Sequence, residues 1–176
     1  MAGWIALLRG INVGGHAKVP MAELKAIAGR LGWSGAETYI QSGNLVFDAE
    51  GSAEALEAAL EKALGQAFGF APAVVVRSAT QWRALVKGNP FEADVDPSRV
   101  MLGLAKGRLA KGAAEAIEAR GVAGERVRQA GEALWFHYPE GAGSSKITPA
   151  QVDKAAGSPV TARNWRTVLK IGEMLG

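Results

Sequence analysis

Apolar residues in the first half of the chain follow two spacings that alternate along the sequence. A continuous apolar run at residues 4–8 predicts a buried strand. Apolar residues at helical spacing across residues 21–31 predict a helix that Gly32 ends. Two short apolar runs within residues 38–47 flank a glycine-containing turn, which predicts a hairpin.

Residues 52–77 predict a second helix and a fourth strand. Ser52 is a residue type that caps helices, and the leucines that follow it recur every four positions. The β-branched run at residues 73–77 is typical of a strand. The first half therefore has the order β-α-β-β-α-β, which is the order of a ferredoxin-like unit.

The second half predicts a similar series of elements. Ser78 and Gln81 form a capping box ahead of a short amphipathic helix. The later predicted elements are a strand at 100–105, an alanine-rich helix at 113–119, a hairpin at 126–138, a helix that begins with a capping box at 148–151, and a last helix at 162–174 that Thr161 caps.

Short segments of similar sequence add to the similar order of elements in the two halves. An apolar strand ends in Arg9-Gly10 in the first half and in Lys106-Gly107 in the second, and residues 41–44 align with residues 129–132. A chance match between two generic strand-turn patterns is the alternative. We predict an α+β fold of two ferredoxin-like β-α-β-β-α units, a degenerate internal duplication packed into one compact body. The expected subdomains are 1–78 and 79–176, the second with the C-terminal helices.

Composition excludes several kinds of chemistry. The 176 residues contain no cysteine, so disulfides, thiolate zinc sites and cysteine nucleophiles are excluded. His16 and His137 are the only histidines, so a three-histidine metal site is excluded as well, and we predict no metal. The net charge of +3 is only a mild excess of positive charge, and a dedicated nucleic-acid binder usually clusters more. No targeting segment or apolar run of ~20 residues is visible, so we expect a cytoplasmic protein without a membrane partner.

The exit of the first strand is the first candidate site. A glycine-rich loop between a strand and a helix presents backbone N–H groups to anions. The first two strands of such a unit are parallel, so this loop should approach the hairpin turn. Tight turns and local pairing of Gln41 are the alternative explanation. The expected donors for phosphate or carboxylate oxygens are Arg9, Asn12, Lys18, Gln41, Ser42 and Asn44.

Two further segments add candidate anion contacts. Lys146 lies in a strand-to-helix loop, but Ser145 stands where a phosphate-binding P-loop needs glycine, so a flexible linker is the alternative. Arg163 and Asn164 should fall in the first turn of the last helix, where the helix dipole disfavours a cation. This position suggests an anionic partner, with an ordinary solvated basic stripe as the alternative.

Catalytic residues are not evident. His16 is an isolated loop histidine, and His137 has no acidic neighbour in the sequence. The catalytic set is therefore unknown, no cofactor is predicted, and whether the protein is an enzyme stays open.

Five ordered motifs resemble those of the bacterial family called domain of unknown function 1697, and they span nearly the whole chain. The resemblance implies an α+β fold of two ferredoxin-like halves in a small cytosolic protein, and no established activity, substrate or cofactor. Apart from Lys18, the candidate donors named above all stand at polar positions of these motifs. The motifs are residues 7–15, residues 39–47, Asn89-Pro90-Phe91, Ser145-Lys146 and residues 161–168.

Three functions are compatible with these residues. The leading hypothesis is a binding module for an anionic, phosphate-bearing small molecule or nucleotide. The second is single-stranded nucleic-acid binding on a sheet, which requires exposed rings among Trp4, Phe47, Trp135 and Phe136. The third is a structural or assembly role without a ligand. Ligand identity and oligomeric state are left open.

Overall fold

A computed structural model describes residues 2–91 and 95–176. The chain forms two compact units, one of Met1–Ala84 with Ile171–Gly176 and one of Leu85–Lys170. The elements are β1 (Ala2–Leu8), α1 (Met21–Arg30), β2 (Ser34–Tyr39), β3 (Asn44–Ala49), α2 (Ala53–Phe68), β4 (Val74–Ser78), α3 (Ala79–Lys87), β5 (Val100–Ala105), α4 (Ala113–Glu118), β6 (Arg126–Ala130), β7 (Ala133–His137), α5 (Pro149–Ala156), β8 (Val160–Asn164) and α6 (Trp165–Met174). None of the helices in the described residues is long and apolar enough to cross a membrane.

Each unit contains one four-stranded sheet, and the two sheets share their topology. The strand orders are β2-β3-β1-β4 and β6-β7-β5-β8, with every neighbouring pair antiparallel. This is the ferredoxin-like arrangement that the element order predicts. The predicted fold class is confirmed as an α+β protein whose two similar units are consistent with duplication.

Alternate side chains of the first sheet pack with α1 and α2 in one core. Leu8 of β1 and Val76 of β4 are buried with Leu24 of α1 and Leu60 of α2. Side chains along a strand alternate between faces, so every second residue of these strands reaches the helices. Phe47 of β3 extends this core by stacking on Trp33, with ring centroids 4.1 Å apart. The core holds the two loops described below at one end of the sheet.

The pairing register is the same in both sheets. Ile5 of β1 lies between Val46 and Arg77, and Leu102 of β5 lies between Trp135 and Arg163. The aligned hairpin turns differ, however, because four residues join β2 to β3 and two join β6 to β7. The register makes Asn44 equivalent to Ala133, so the alignment of residues 41–44 with 129–132, which puts Asn44 on Glu132, is wrong by one residue at β3.

The last predicted helix is wrong at its start. Residues 160–164 form β8, which pairs with β5, and α6 begins at Trp165. Thr161 does not cap the helix; Asn164 does, since its Oδ1 accepts from the N–H of Thr167 at 2.9 Å. Residues 160–164 pair with a strand nearly sixty positions earlier, and helical spacing within the segment gives no sign of that pairing.

The outer side of three edge strands is protected by a carboxylate from a helix of the same unit. In each case the carboxylate oxygen accepts a main-chain N–H of the edge strand. Such contacts satisfy edge donors and hinder the addition of further strands. The pairs are Glu57 with Val76 (3.0 Å), Glu118 with Val127 (3.0 Å) and Asp153 with Val160 (2.9 Å).

The C-terminal residues return to the first unit. Arg83 donates from Nη2 to the main-chain oxygen of Gly176 at 3.0 Å. A Cβ placed on Gly172 would lie 3.8 Å from Cδ1 of Trp82, and one placed on Gly3 would lie 3.9 Å from Cδ2 of Leu175. Residues from both ends of the sequence therefore form one body.

Candidate functional site

The loop after β1 touches the turn between β2 and β3. Both β1 and β2 run antiparallel to β3, so they are parallel to each other, as the topology argument predicts. The Nδ2 atom of Asn12 donates to the main-chain oxygen of Gln41 at 2.8 Å. We call the two segments, residues 9–20 and 40–44, the junction.

The side chain of Asn12 fixes the shape of the loop. Its Nδ2 also donates to the main-chain oxygen of Val19 at 2.9 Å, and its Oδ1 accepts from the N–H of Val19 at 2.8 Å. Both amide protons are therefore used within the protein. Asn12 positions the loop, and its amide protons are not available to a ligand.

Residues 12–17 form a miniature hairpin inside the loop. The N–H of Asn12 donates to the oxygen of Ala17 at 3.0 Å, and the N–H of His16 donates to that of Val13 at 2.9 Å. The two turn glycines have φ values of 57° and 77°, and a two-residue hairpin turn with both values positive favours glycine strongly. The positive φ values of this turn therefore explain why the motif contains two consecutive glycines.

The hairpin turn is held against β1 by a close approach of backbone. The N–H of Leu8 donates to the oxygen of Gly43 at 2.9 Å. A Cβ on Gly43 would lie 2.9 Å from Cβ of Leu8 and 2.8 Å from Cδ1 of Ile11, so a larger residue does not fit. Asn44 is fully buried and donates to the oxygen of Tyr39 at 2.9 Å and to Oγ of Ser42 at 3.0 Å.

Backbone strain is concentrated at the junction. Among the described residues, the non-glycine residues with positive φ are Asn12 (56°), Ala17 (50°) and Ile40 (51°). This region is unfavourable for side chains other than glycine, above all for a β-branched one, and strain of this kind clusters at functional sites. Ile40 is not evident from the sequence, because an isoleucine gives no sign of a positive φ or of its exposure of 48%.

The junction presents positive and polar groups at its surface. Lys18, His16 and Gln41 are exposed, and Arg9 and Ser42 are half-buried. Residues 9–22 and 38–47 contain no aspartate or glutamate. The loop and the turn that carry the candidate residues of the first unit are in contact through Asn12 and Gln41, and the candidates divide into two groups. Asn12 and Asn44 hold the loops, whereas Arg9, Lys18 and Gln41 remain as candidate ligand contacts.

The candidates of the second unit are differently placed. Lys146 is exposed in the loop between β7 and α5. Arg163 and Asn164 lie on β8, so the prediction that they occupy the first turn of a helix is wrong. Arg163 is 8% exposed, and its Nη1 donates to the oxygen of Ala162 at 2.9 Å. Burial lowers the pKa of Arg163 to about 10.

His137 has a cationic neighbour rather than an acidic one. Its Nδ1 lies 3.3 Å from Nη2 of Arg126, and burial, followed by the charge of Arg126, lowers the pKa of His137. Arg126 also lies over the ring of Phe91, 5.0 Å from its centroid. Within the part of the chain that the structure describes, no group of three histidine, cysteine or acidic side chains is placed to hold a metal ion.

The aromatic rings proposed for nucleic-acid stacking are largely covered. Phe47, Trp135 and Phe136 are at most 2% exposed. Trp4 is half-buried, and its Nε1 donates to the oxygen of Ala49 at 3.0 Å. Base stacking requires accessible ring faces, so these four residues do not provide the platform that the second hypothesis needs.

Two ferredoxin-like units and a hydrogen-bonded, glycine-rich junction define a small α+β protein of repeated architecture. The chain belongs to the DUF1697 family, described as a protein of unknown function, which matches residues 1–135. It is similar to the solved structure of the conserved bacterial protein SP0830 from Streptococcus pneumoniae, with a TM-score of 0.76 and 26% sequence identity over 99% of each chain. No curated protein matches the chain.

Proposed function

We propose that this protein binds a phosphate-bearing small molecule at the junction. The observation that carries the proposal is the 2.8 Å hydrogen bond from Asn12 to Gln41, which joins the cationic loop to the hairpin turn. Arg9 and Lys18 supply positive charge, and Gln41 supplies an exposed amide. Cationic and amide donors held in one place suit phosphate oxygens.

Backbone donors add to this set. Helix α1 follows the loop directly, and its N-cap, Pro20, has no side chain that accepts from the first turn. The N–H groups at such a helix start carry partial positive charge and favour anions. In combination with Lys18, two residues before Pro20, they support a phosphate position at the α1 side of the junction.

The junction also offers apolar surface to the rest of the ligand. Val13 is 65% exposed and Ile40 48% exposed, and each is adjacent in sequence to one partner of the Asn12–Gln41 contact. Exposed apolar side chains beside phosphate donors fit a ligand with a flat or aliphatic part, such as a nucleotide. Lys146 and Asn164 stay predictions, since they belong to the other unit.

Titration of the ¹⁵N-labelled protein with inorganic pyrophosphate tests the proposal. At constant ionic strength, the amide signals of residues 9–19 and 40–43 should shift to saturation. Lys18→Gln should weaken binding by about tenfold or more, because it removes a charge-assisted hydrogen bond. Lys62→Gln is the matched control, since Lys62 is exposed on α2 outside the junction.

A nucleoside diphosphate forms the second arm of the titration. Tighter binding than that of pyrophosphate would assign the apolar surface to a base or sugar, and equal binding would restrict recognition to phosphate. Absence of saturable shifts with both probes, or equal losses in Lys18→Gln and Lys62→Gln, would exclude the junction as a phosphate site.

A further inference from the structure

We propose that the outer edge of β2 is a self-association surface, to which β2 of a second copy of the chain adds in antiparallel orientation. The ion pair between Lys25 and Glu37 covers this edge and opposes the addition. The surface belongs to the first unit alone, and it does not depend on a ligand at the junction.

The edge strand β2 is protected in a different way from the other three edge strands. A helix carboxylate accepts a main-chain N–H of β4, of β6 and of β8. On β6 that carboxylate is Glu118 of α4. Helix α1 has the place of α4 in the first unit, and it contributes Lys25, whose Nζ lies 3.2 Å from Oε1 of Glu37. An ammonium group only donates, so this contact satisfies no backbone donor of β2.

The ion pair crosses the outer side of β2. Helix α1 packs on the sheet face that carries Ala36 and Leu45. Glu37 follows Ala36 and is paired with Val46, the neighbour of Leu45, so its side chain leaves the sheet from the opposite face. Because β3 occupies the inner side of β2, the contact between Lys25 and Glu37 passes around the outer side.

The pairing register shows which residues of β3 bond to β2. The N–H of Leu8 donates to the oxygen of Gly43 at 2.9 Å, and this pair directly follows the pair of Leu7 and Asn44 in the register of β1 with β3. Hydrogen-bonded and non-hydrogen-bonded pairs alternate along an antiparallel ladder, so Gly43 and every second residue after it bond to β1. Asn44 and Val46 therefore direct their main-chain groups towards β2.

Thr38 directs its main-chain N–H and C=O outwards. Its neighbours Glu37 and Tyr39 are the partners of Val46 and Asn44, so the main-chain groups of these neighbours face β3 and those of Thr38 face away from it. Among the residues that the structure describes, the N–H of Thr38 has no acceptor. An edge donor of this kind can pair with an added strand.

A second β2 fits this edge because the edge is self-complementary. Antiparallel pairing centred on Thr38 joins the N–H of each Thr38 to the C=O of the other, which gives a two-fold contact. In that pairing Glu37 lies opposite Tyr39 of the second copy, so the two carboxylates do not face each other. The register shift between Ser34 and Glu37 makes the regular edge short, and a two-fold contact uses this short edge twice.

The ion pair that covers the edge is exposed to solvent. The side chains of Lys25 and Glu37 are 50% and 64% exposed. Exposed ion pairs of this kind contribute little to stability, and salt screens them. The edge is therefore covered by a weak contact, and removal of Lys25 should uncover it without loss of the fold.

Sedimentation equilibrium of the full chain tests the proposal. Lys25→Ala removes the side chain that crosses the edge, and alanine is compatible with the helix. The dissociation constant of its dimer should be about fivefold lower than that of the unchanged protein, because the ion pair no longer opposes strand addition. Lys62→Ala is the matched control, since Lys62 is exposed on α2, and it should leave the dissociation constant unchanged.

Thr38→Pro locates the association at β2. Proline lacks the N–H that a second strand needs, and the pairing of β2 with β3 does not use that N–H. In the Lys25→Ala background, Thr38→Pro should raise the dissociation constant by about tenfold or more, because both bonds at the two-fold axis are lost. If the proline variant does not fold, amide hydrogen exchange replaces it. Exchange at Thr38 in Lys25→Ala should become slower as the protein concentration rises.

The outcomes decide the proposal in either direction. Equal dissociation constants for Lys25→Ala and Lys62→Ala overturn it. A Lys25→Ala dimer that Thr38→Pro does not weaken, or Thr38 exchange that is independent of protein concentration, overturns it as well. Lys18→Gln should leave the association unchanged, so failure at the junction and failure at this edge are distinguishable.

Discussion

Glu57 of α2 accepts the main-chain N–H of Val76 at a distance of 3.0 Å, on the outer side of the edge strand β4. Glu57 is only 9% exposed, so this carboxylate is withdrawn from solvent to satisfy one backbone donor. The second unit repeats the device with Asp153 and Val160. Protected edges are therefore a shared property of the two ferredoxin-like units.

Glu57→Ala should lower the free energy of unfolding by about 1–3 kcal/mol, because it leaves a buried N–H without its acceptor. Urea denaturation measures the change. Glu54→Ala is the control, since Glu54 is exposed in the first turn of the same helix and should cost less than about 1 kcal/mol. Equal losses in the two variants would show that the contact is not stabilising.

At position 12, the alanine variant should be less stable than the glycine variant, which is the reverse of the usual order of stability. Both Asn12→Ala and Asn12→Gly remove the side-chain bonds to Val19 and Gln41. Glycine adopts the φ of 56° freely, whereas alanine is strained there, so the alanine variant should be less stable by about 1 kcal/mol. Chemical denaturation of the two variants gives the difference, and an alanine variant as stable as the glycine one would contradict the strained conformation.

Two glycines of the junction should tolerate alanine to different extents. Both Gly15 and Gly43 have positive φ, which costs about 1 kcal/mol for alanine. A Cβ on Gly15 meets nothing within 4 Å, whereas one on Gly43 lies 2.9 Å from Cβ of Leu8. Gly43→Ala should therefore lose about 1–3 kcal/mol more than Gly15→Ala in thermal or urea unfolding. Similar losses would mean that the turn has room to move away from β1.

His137 should make stability depend on pH in the acidic range. Burial and the charge of Arg126 lower its pKa, so the unfolded chain binds a proton at a higher pH than the folded protein does. The contribution is complete above the unfolded value of about 6.5 and is lost as the pH falls below it. Urea unfolding from pH 7 to 5 should show a shallower decline in His137→Gln than in the unchanged protein. The exposed His16→Gln is the control, and identical profiles for all three proteins would exclude this role.

Most of the fold follows from local spacing because its strands are short, apolar and bounded by glycine or capping residues. The runs at residues 4–8 and 100–105 predict β1 and β5, which lie in the interior of their sheets. The exception is β8. The strand β8 has only five residues, and α6 begins at Trp165 directly after it. Because no turn separates the two elements, local spacing favours one longer helix over the whole segment. Its strand character depends on pairing with β5, which local spacing does not report.

The position of the candidate site could be predicted from the sequence, but the roles of its individual residues could be predicted less well. Parallel β1 and β2 place the Asn12 loop beside Gln41, and that inference needs only topology. The assignment of Asn12 and Asn44 as ligand contacts required knowledge of where their amide protons go, and both amides are used by nearby carbonyl or hydroxyl oxygens. The residue type shows which side chains can donate hydrogen bonds, and only the folded structure shows which acceptors they bind.

The return of residues 171–176 to the first unit has a consequence for synthesis on the ribosome. Translation completes residues 1–84 long before Gly172 and Gly176, which lie beside Trp82 and Arg83 in that unit. The first unit therefore finishes folding only after the whole second unit has been made. Nascent chains halted before residue 171 should leave the surface around Trp82 without its C-terminal neighbours, open to a chaperone until release.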